Sequence, residues 1–340
     1  MNVVVLAGGI STERDVSLNT GKNVLKALKG KGINARLLDL FLGHEKDIDN
    51  FFNIDNDIDN DYVINESIPK LSEIISKRNN SDELFGPNVL NICKKADMVF
   101  IALHGKDGEN GKVQATFDLL GIKYTGTGYL GSAISMNKYV TKQLLVLNNI
   151  KTPKYGYYRK GQVMPKFKEP VVIKPTSGGS SVGVSLCFNE EEYNKAIELA
   201  FSFEDELLIE EYIKGREFSI GILGNMVLPP IEIIPNEGFY DYKNKYQEGM
   251  TKEICPAHLD IKTTTRLKQL AKKVFDILKL EVYGRVDVIL KDNEFYVLEA
   301  NSLPGLTSMS LLPQEANSVG INYLDLCLKI INLSNNKKMI

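Results

Sequence analysis

The chain has 340 residues, 43% of them apolar and 25% charged, with a net charge of −2. That length suggests two or three domains, and that composition an ordinary water-soluble globular protein. So small a net charge makes no case for a nucleic-acid or membrane partner, so an anionic ligand must be held by a local cluster of bases. Cys93, Cys187, Cys255 and Cys327 are scattered, without C-x-x-C or paired spacing. They read as reduced thiols of a cytoplasmic protein.

In chain order, NVVVLAGG (residues 2–9) predicts a buried parallel-type strand ending in glycines, and not a signal peptide, because no basic flank precedes it. A helix over about 14–29 follows the cap-like Ser11-Thr12. Strand, glycine turn and helix make a doubly wound α/β start, though without G-x-G-x-x-G. Glu13 stands where the strand's carboxyl end meets the helix, so it either complements the helix dipole or reaches a ligand. Residues 44–95 are polar, with an Asp/Asn-rich run at 47–61 that reads as a surface insertion. Asp55, Asp57, Asp59, Asp61 and Glu66 have calcium-loop spacing, but Asn60 stands where that loop needs glycine.

DMVFIAL (97–103) is a second buried strand, leading into a loop whose glycines bracket His104 and Glu109, then a helix over 112–120 stopped by Gly121. A histidine at a strand's carboxyl end is a better site candidate than most. Residues 124–131 are a turn-rich boundary, after which Ser135 is expected to cap a helix over about 136–148. Lys138 falls in its first turn, opposing the helix dipole; it is either solvated or held there by an anion.

The strand PVVIK delivers Lys174 to the small, amide-rich loop TSGGSSVG (176–183), which suits covering phosphates although it is no Walker A sequence. Asn189 and Glu192 have capping-box spacing for the next helix. LLIEEYI (207–213) is a strand, and the stretch from Glu210 to Glu217 is placed to bridge two lobes, where a base and ribose would sit. PNEGFYDYKNKYQEG (235–249) lacks periodicity and reads as a lid-like loop carrying Lys245 and Tyr246. Residues 260–278 form an amphipathic helix.

The last large block, YGRVDVILKDNEFYVLEANSLPG (283–305), is a β-hairpin. For Asp287 to oppose Glu299, and Arg285 to oppose Asn301, the connecting loop must have an odd count, so Asp292-Asn293-Glu294 is the expected loop. The face then holds two carboxylates, an amide oxygen and a guanidinium, which suits Mg²⁺ shared with nucleotide phosphates. A short helix near 323–333 ends the chain.

Six blocks in order (AGGISTERDVSLNTG, LHGKDGENGKVQA, KPTSGGSSVG, YDYKNKY, GRVD and LEANSLPGLTSMSLLP) resemble the ATP-grasp superfamily and, within it, the D-alanine–D-alanine ligases. The resemblance implies a three-domain fold, with an N-terminal α/β domain (1–126), a central domain (127–213) and a C-terminal domain (214–340). Its strands are doubly wound and parallel in the first domain, α+β in the ATP-binding part. It implies a two-step reaction: ATP phosphorylates the carboxylate of a first D-alanine, and the amine of a second attacks the acyl phosphate, kept from water.

By this resemblance Lys138, Lys174 and Lys245 would neutralise phosphate charge, with Ser181, Val182 and Gly183 closing over it. Glu210, Glu211 and Ile213 would flank adenine, and Glu217 would take the ribose. Many relatives have lysine where this chain has Glu211, which leaves the backbone for that contact. Asp287, Glu299 and Asn301 would hold two Mg²⁺ or Mn²⁺ ions. Glu13, joined to Ser180 and Tyr246, would bind the first ammonium, and His104 would orient that substrate. Arg285 and the Gly305 amide would stabilise the oxyanion, and Ser310 with the Leu311 amide would seat the second carboxylate. Leu311 leaves a small apolar pocket that suits D-alanine as second substrate, with D-serine or D-lactate as the alternative. A homodimer is implied by the family alone. An NAD-linked oxidoreductase would explain the glycine-turn start but not the phosphate loop or the hairpin. An amino-acid binding module would need only the first domain.

Overall fold

Apolar side chains on both faces make β1 (Asn2–Ala7) a central strand: Val3 to Ala7 are fully buried. In a computed structural model, which describes residues 1–46, 48–53, 69–236, 240, 249–307 and 309–337, β1 pairs in parallel with β2 (Asn34–Asp39) and β3 (Met98–Ile101), in the order β2-β1-β3. Helix α1 (Arg14–Lys29) lies against β1 and β2. The short α2 (Leu71–Ser76) and α3 (Val89–Lys95) return the chain to β3. Beyond it come α4 (Lys106–Glu109) and α5 (Lys112–Leu120), the latter closed by Gly121 in the left-handed region. The aspartates of the calcium-like spacing, from Asp55 to Asp61, and Glu66 lie outside the described residues.

Helix α6 (Tyr129–Met136) contains Ser135, so the expected cap is corrected: Asn137 caps α7 (Lys138–Leu147), its Oδ1 accepting the Val140 amide at 3.0 Å. Ser135 instead bonds back to the Gly131 carbonyl inside α6. The second sheet is antiparallel and follows the order β4-β7-β5-β6, built from β4 (Tyr155–Arg159), β5 (Val171–Pro175), β6 (Ser185–Cys187) and β7 (Glu206–Glu211). Helix α8 (Glu190–Phe203) packs on it and is capped by Asn189 as the spacing predicts.

The third sheet runs β11-β10-β8-β12-β13, with β9 beside β8. Its strands are β8 (Arg216–Leu223), β9 (Met226–Val227), β10 (Ile231–Pro235), β11 (Thr251–Ile254), β12 (Tyr283–Lys291) and β13 (Glu294–Asn301). Helix α9 (Ile261–Ile277) covers one face with Leu267, Ala271, Val274 and Phe275. Helix α10 (Leu311–Asn317) packs on β8 and α11 (Tyr323–Asn335) on α1. Leu326, Cys327, Ile330 and Ile331 of α11 belong to the same apolar cluster as β1. The N-terminal sheet therefore completes its core with the C-terminal helix.

The hairpin β12–β13 has the predicted register, Asp287 opposite Glu299 and Arg285 opposite Asn301, but for a different reason. Lys291 pairs with Glu294, so the loop is two residues, Asp292 and Asn293, both with positive φ. Val288 faces Val297, and the odd residue is a bulge at Leu298. The bulge, not the loop, turns Glu299 onto the Asp287 face. No helix among the described residues is long and apolar enough to cross a membrane.

Candidate active site between the second and third sheets

A cavity of about 420 Å³ lies between these sheets, within the range of small-molecule sites. Val172, Leu186, Ile233 and Leu298 give it apolar walls, and Glu211, Ile213 and Glu217 edge it. Strand β5 carries Lys174 to its floor. Burial alone would lower the pKa of Lys174, but the Glu210 and Glu299 carboxylates outweigh burial and raise it. Its Nζ is 2.9 Å from Glu210 Oε2. The other carboxylate oxygen is 3.1 Å from Nζ of Lys142, a fully buried lysine of α7. Burial pushes Lys142 down to about 8, with Glu210 opposing and Lys174 adding to the shift. Glu210 thus turns its side chain to two lysines. The Glu211 carboxylate accepts the Lys154 amide at 2.8 Å, which leaves the backbone of this strand to face a base.

Lys138, first residue of α7, donates from Nζ to the Gly178 carbonyl at 2.7 Å and stands 3.7 Å from Glu299. Its place beside Glu299 and the phosphate-type loop explains a cation at a helix start. The loop is tied at its base, where Thr176 and Ser177 donate to Glu204 at 3.0 and 2.9 Å. At its tip Ser180 and Ser181 take positive φ, and Ser181 donates to the Tyr240 carbonyl at 3.0 Å. Lys245 and Tyr246 lie outside the described residues.

At the hairpin, Arg285 grips Asp287 with two bonds of 2.9 Å, and Ser219 and Asn301 add donors at 2.8 and 3.1 Å. Burial would lower the pKa of Arg285, but the bidentate carboxylate more than reverses this, so the guanidinium stays charged. Asp287, Glu299 and Asn301 share a face. Glu299, the Asn301 amide oxygen and Asp287 are hard oxygen donors of the kind that would suit a divalent ion, with Asp287 giving up one of its four hydrogen bonds to it. Among the described residues no group of three or more His, Cys, Asp and Glu could hold such an ion alone.

A second cavity, about 60 Å³, adjoins the first, sharing Gly179 and Tyr240 in its wall. It brings together Glu13, Ser180, Arg285, Gly305 and Ser310, with His104 and Leu311 at its edge. The Ser180 hydroxyl donates to Glu13 Oε1. His104 Nε2 is 3.0 Å from the Thr20 hydroxyl, and its carbonyl accepts Ser11 at 2.7 Å. Ser310 Oγ accepts the Thr307 amide at 2.9 Å and lies beside Gly305. With a carboxylate at one end and a guanidinium at the other, the cavity matches the charges of a small amino acid.

Sequence reasoning missed Lys142, Thr20, Ser219 and Tyr240. Lys142 is four residues after Lys138, on the same helix face. Ser219, a lone hydroxyl in an apolar strand, stands opposite Asp287; no local pattern marks Thr20.

Three sheets, with lysines, a glycine-rich loop and an acidic hairpin around a nucleotide-sized cavity, define an ATP-grasp protein. Residues 2–127 match the family model for the D-ala D-ala ligase N-terminus and residues 143–332 that for the D-ala D-ala ligase C-terminus. The chain belongs to the D-alanine–D-alanine ligase family. It is 44% identical over 339 residues to the D-alanine–D-alanine ligase of Pediococcus pentosaceus, covering 97% of each chain. It is 45% identical to that of Lacticaseibacillus casei, covering 98% of this chain and 95% of the other. The crystal structure of the Bacillus anthracis D-alanine–D-alanine ligase complexed with ATP is similar, with a TM-score of 0.76 at 29% identity, over 99% of this chain and 98% of the other.

Proposed function

We propose that the chain joins two D-alanine molecules into D-alanyl-D-alanine, a peptidoglycan precursor, at the expense of ATP, releasing ADP and phosphate. The observation that carries this reading is the adjacency of the two cavities: the amino-acid-sized one opens beside the lysines and the hairpin. Glu13, ordered by Ser180, takes the ammonium of the first D-alanine, and His104 orients it. Its carboxylate then meets the γ-phosphoryl group, whose charge Lys138, Lys174 and Lys245 balance while Ser181 and Val182 cover it. Glu210, Glu211 and Ile213 flank adenine, the two glutamates through their backbone, and Glu217 takes the ribose. Arg285 and the Gly305 amide stabilise the tetrahedral oxyanion, with Tyr246 completing the Glu13–Ser180 chain. Ser310 and the Leu311 amide seat the second carboxylate. Asp287, Glu299 and Asn301 would hold two Mg²⁺ ions, which supply charge neutralisation to the transferring phosphoryl group.

For this work the chain divides at about 126 and 213. The four free cysteines support a cytoplasmic setting, and family resemblance supports a homodimer.

The test is ATP- and Mg²⁺-dependent phosphate release with D-alanine, L-alanine, D-serine and D-lactate in parallel. Release with D-alanine alone, and a dipeptide by mass, is expected. Release only on adding D-serine or D-lactate overturns the second-substrate reading, and no release with any of them overturns the reaction.

A further inference from the structure

Glu315 of α10 is fully buried, carries a charge-type side chain, and has no part in the chemistry above. Its setting is unusual. Strand β8 pairs with β10 only through residues 217–219 and with β9 only at 222–223. Gly221 falls between, and its carbonyl accepts the Leu228 amide at 2.9 Å on that same edge. In an antiparallel strand a residue's N–H points to the side its carbonyl points to. The Gly221 N–H is therefore left without a ladder partner, and Glu315 Oε1 accepts it at 3.0 Å.

Gly221 also decides how close the helix comes. A Cβ there would overlap Glu315 Oε2 and a methyl of Leu312, so only glycine admits α10 at this depth. Gly221 stands directly opposite Arg285, and Ser219 opposite Asp287. Directly opposed residues point to one face, so Oε2 lies over the face that bears Arg285 and Asp287. That oxygen is buried and makes no hydrogen bond among the described residues. Burial raises the carboxyl well above its usual range, the Gly221 amide and Arg285 opposing and Asp287 adding to the shift. It is held neutral. Leu311, one turn earlier on the same helix face, and Ser310 before it are the proposed seat of the second amino acid.

We infer that Glu315 is a positioning residue for the second-substrate subsite, its carboxyl locking α10, and so Ser310 and Leu311, onto strand β8 beside the hairpin. This rests on the ligase reading and on its assignment of Ser310 and Leu311. A leucine at 315 fills the space but leaves the Gly221 amide unsatisfied, letting the helix shift. A glutamine keeps the acceptor and the volume.

The experiment compares wild type, Glu315→Leu, Glu315→Gln and Ser310→Ala in phosphate release at varied D-alanine and ATP, fitted with a separate constant for each D-alanine. Glu315→Leu is expected to raise the constant for the second D-alanine about tenfold, with the first constant, the ATP constant and kcat within twofold. Glu315→Gln is expected to restore all constants to within twofold of wild type. Should the leucine variant not fold, Glu315→Met must show the same split. The inference is overturned if all constants move together, if the leucine and methionine variants match wild type, or if glutamine fails to rescue. Absence of dipeptide from the wild type would instead sink the ligase reading. A normal second constant in Ser310→Ala would remove the subsite assignment, and the inference with it.

Discussion

Glu210 lies between two ammonium groups, and the three charges do not cancel. Burying them is costly unless each is partnered, and the surplus positive charge beside an open cavity is what an incoming phosphate would neutralise. The cost falls on Lys142, whose pKa is pushed down to about 8. Below that pH both folded and unfolded chains hold the proton, and the folded state carries the full penalty. Between about 8 and the ordinary lysine value near 10.4 the unfolded chain alone keeps it, so stability attributable to this residue rises with pH. Lys142→Met should therefore be more stable relative to wild type at pH 7.5 than at pH 10. The difference should shrink by up to about 3 kcal/mol. Urea denaturation of both proteins at three pH values checks it, and a difference that grows with pH would reverse the assignment. Lys138, Lys174 and His104 were legible because each lies at or just past a strand's end or opens a helix beside small residues, and Asp287 because strand alternation in the hairpin puts it on the face of Arg285. Lys142 was not, because its Glu210 partner is 68 positions away in the chain, and no spacing rule reaches that far.

At the scale of elements, most helices and strands follow their punctuation: Arg14–Lys29, Lys112–Leu120 before Gly121, and Ile261–Ile277 after Asp260. The break at Asn137 did not follow, since Ser135 also has the chemistry of a cap and the two helices are separated by a single residue. Asn137 holds the first turn of α7, and with it Lys138, whose own amide bonds to the Thr176 carbonyl at 2.8 Å. Asn137→Ala should cost about 1 kcal/mol of stability and weaken ATP more than D-alanine. Chemical denaturation and the two Michaelis constants read these effects; an unchanged ATP constant would mean that the loop, not the cap, places Lys138. The bulge at Leu298 belongs here too. A two-residue turn at Asp292-Asn293 would by itself put Leu298 opposite Asp287 and send Glu299 to the other face. One extra residue in β13 restores the pair.

Across the whole molecule, the apolar cluster under the first sheet is closed by α11, more than 300 residues from β1. Ile330 is fully buried in that cluster. Ile330→Ala should cost about 2–5 kcal/mol, lowering thermal stability while leaving kcat at moderate temperature near wild type, because the residue lines neither cavity. Calorimetry with a parallel activity assay tests this; loss of activity in a still-folded variant would show that α11 sets the Glu13 end of the site. The arrangement also makes the core of the first sheet dependent on α11.

By itself the sequence determined the element types, the phosphate-type loop, the acidic hairpin and the residues to watch, because periodicity, glycine turns and short motifs are local properties. Tertiary structure alone decided how those residues face one another. It set Glu210 between Lys142 and Lys174, aligned Glu13 with Ser180 across two sheets, and pressed Glu315 against Gly221. Each of these depends on contacts between segments far apart in the chain, where burial and a shared partner, not spacing, select the geometry.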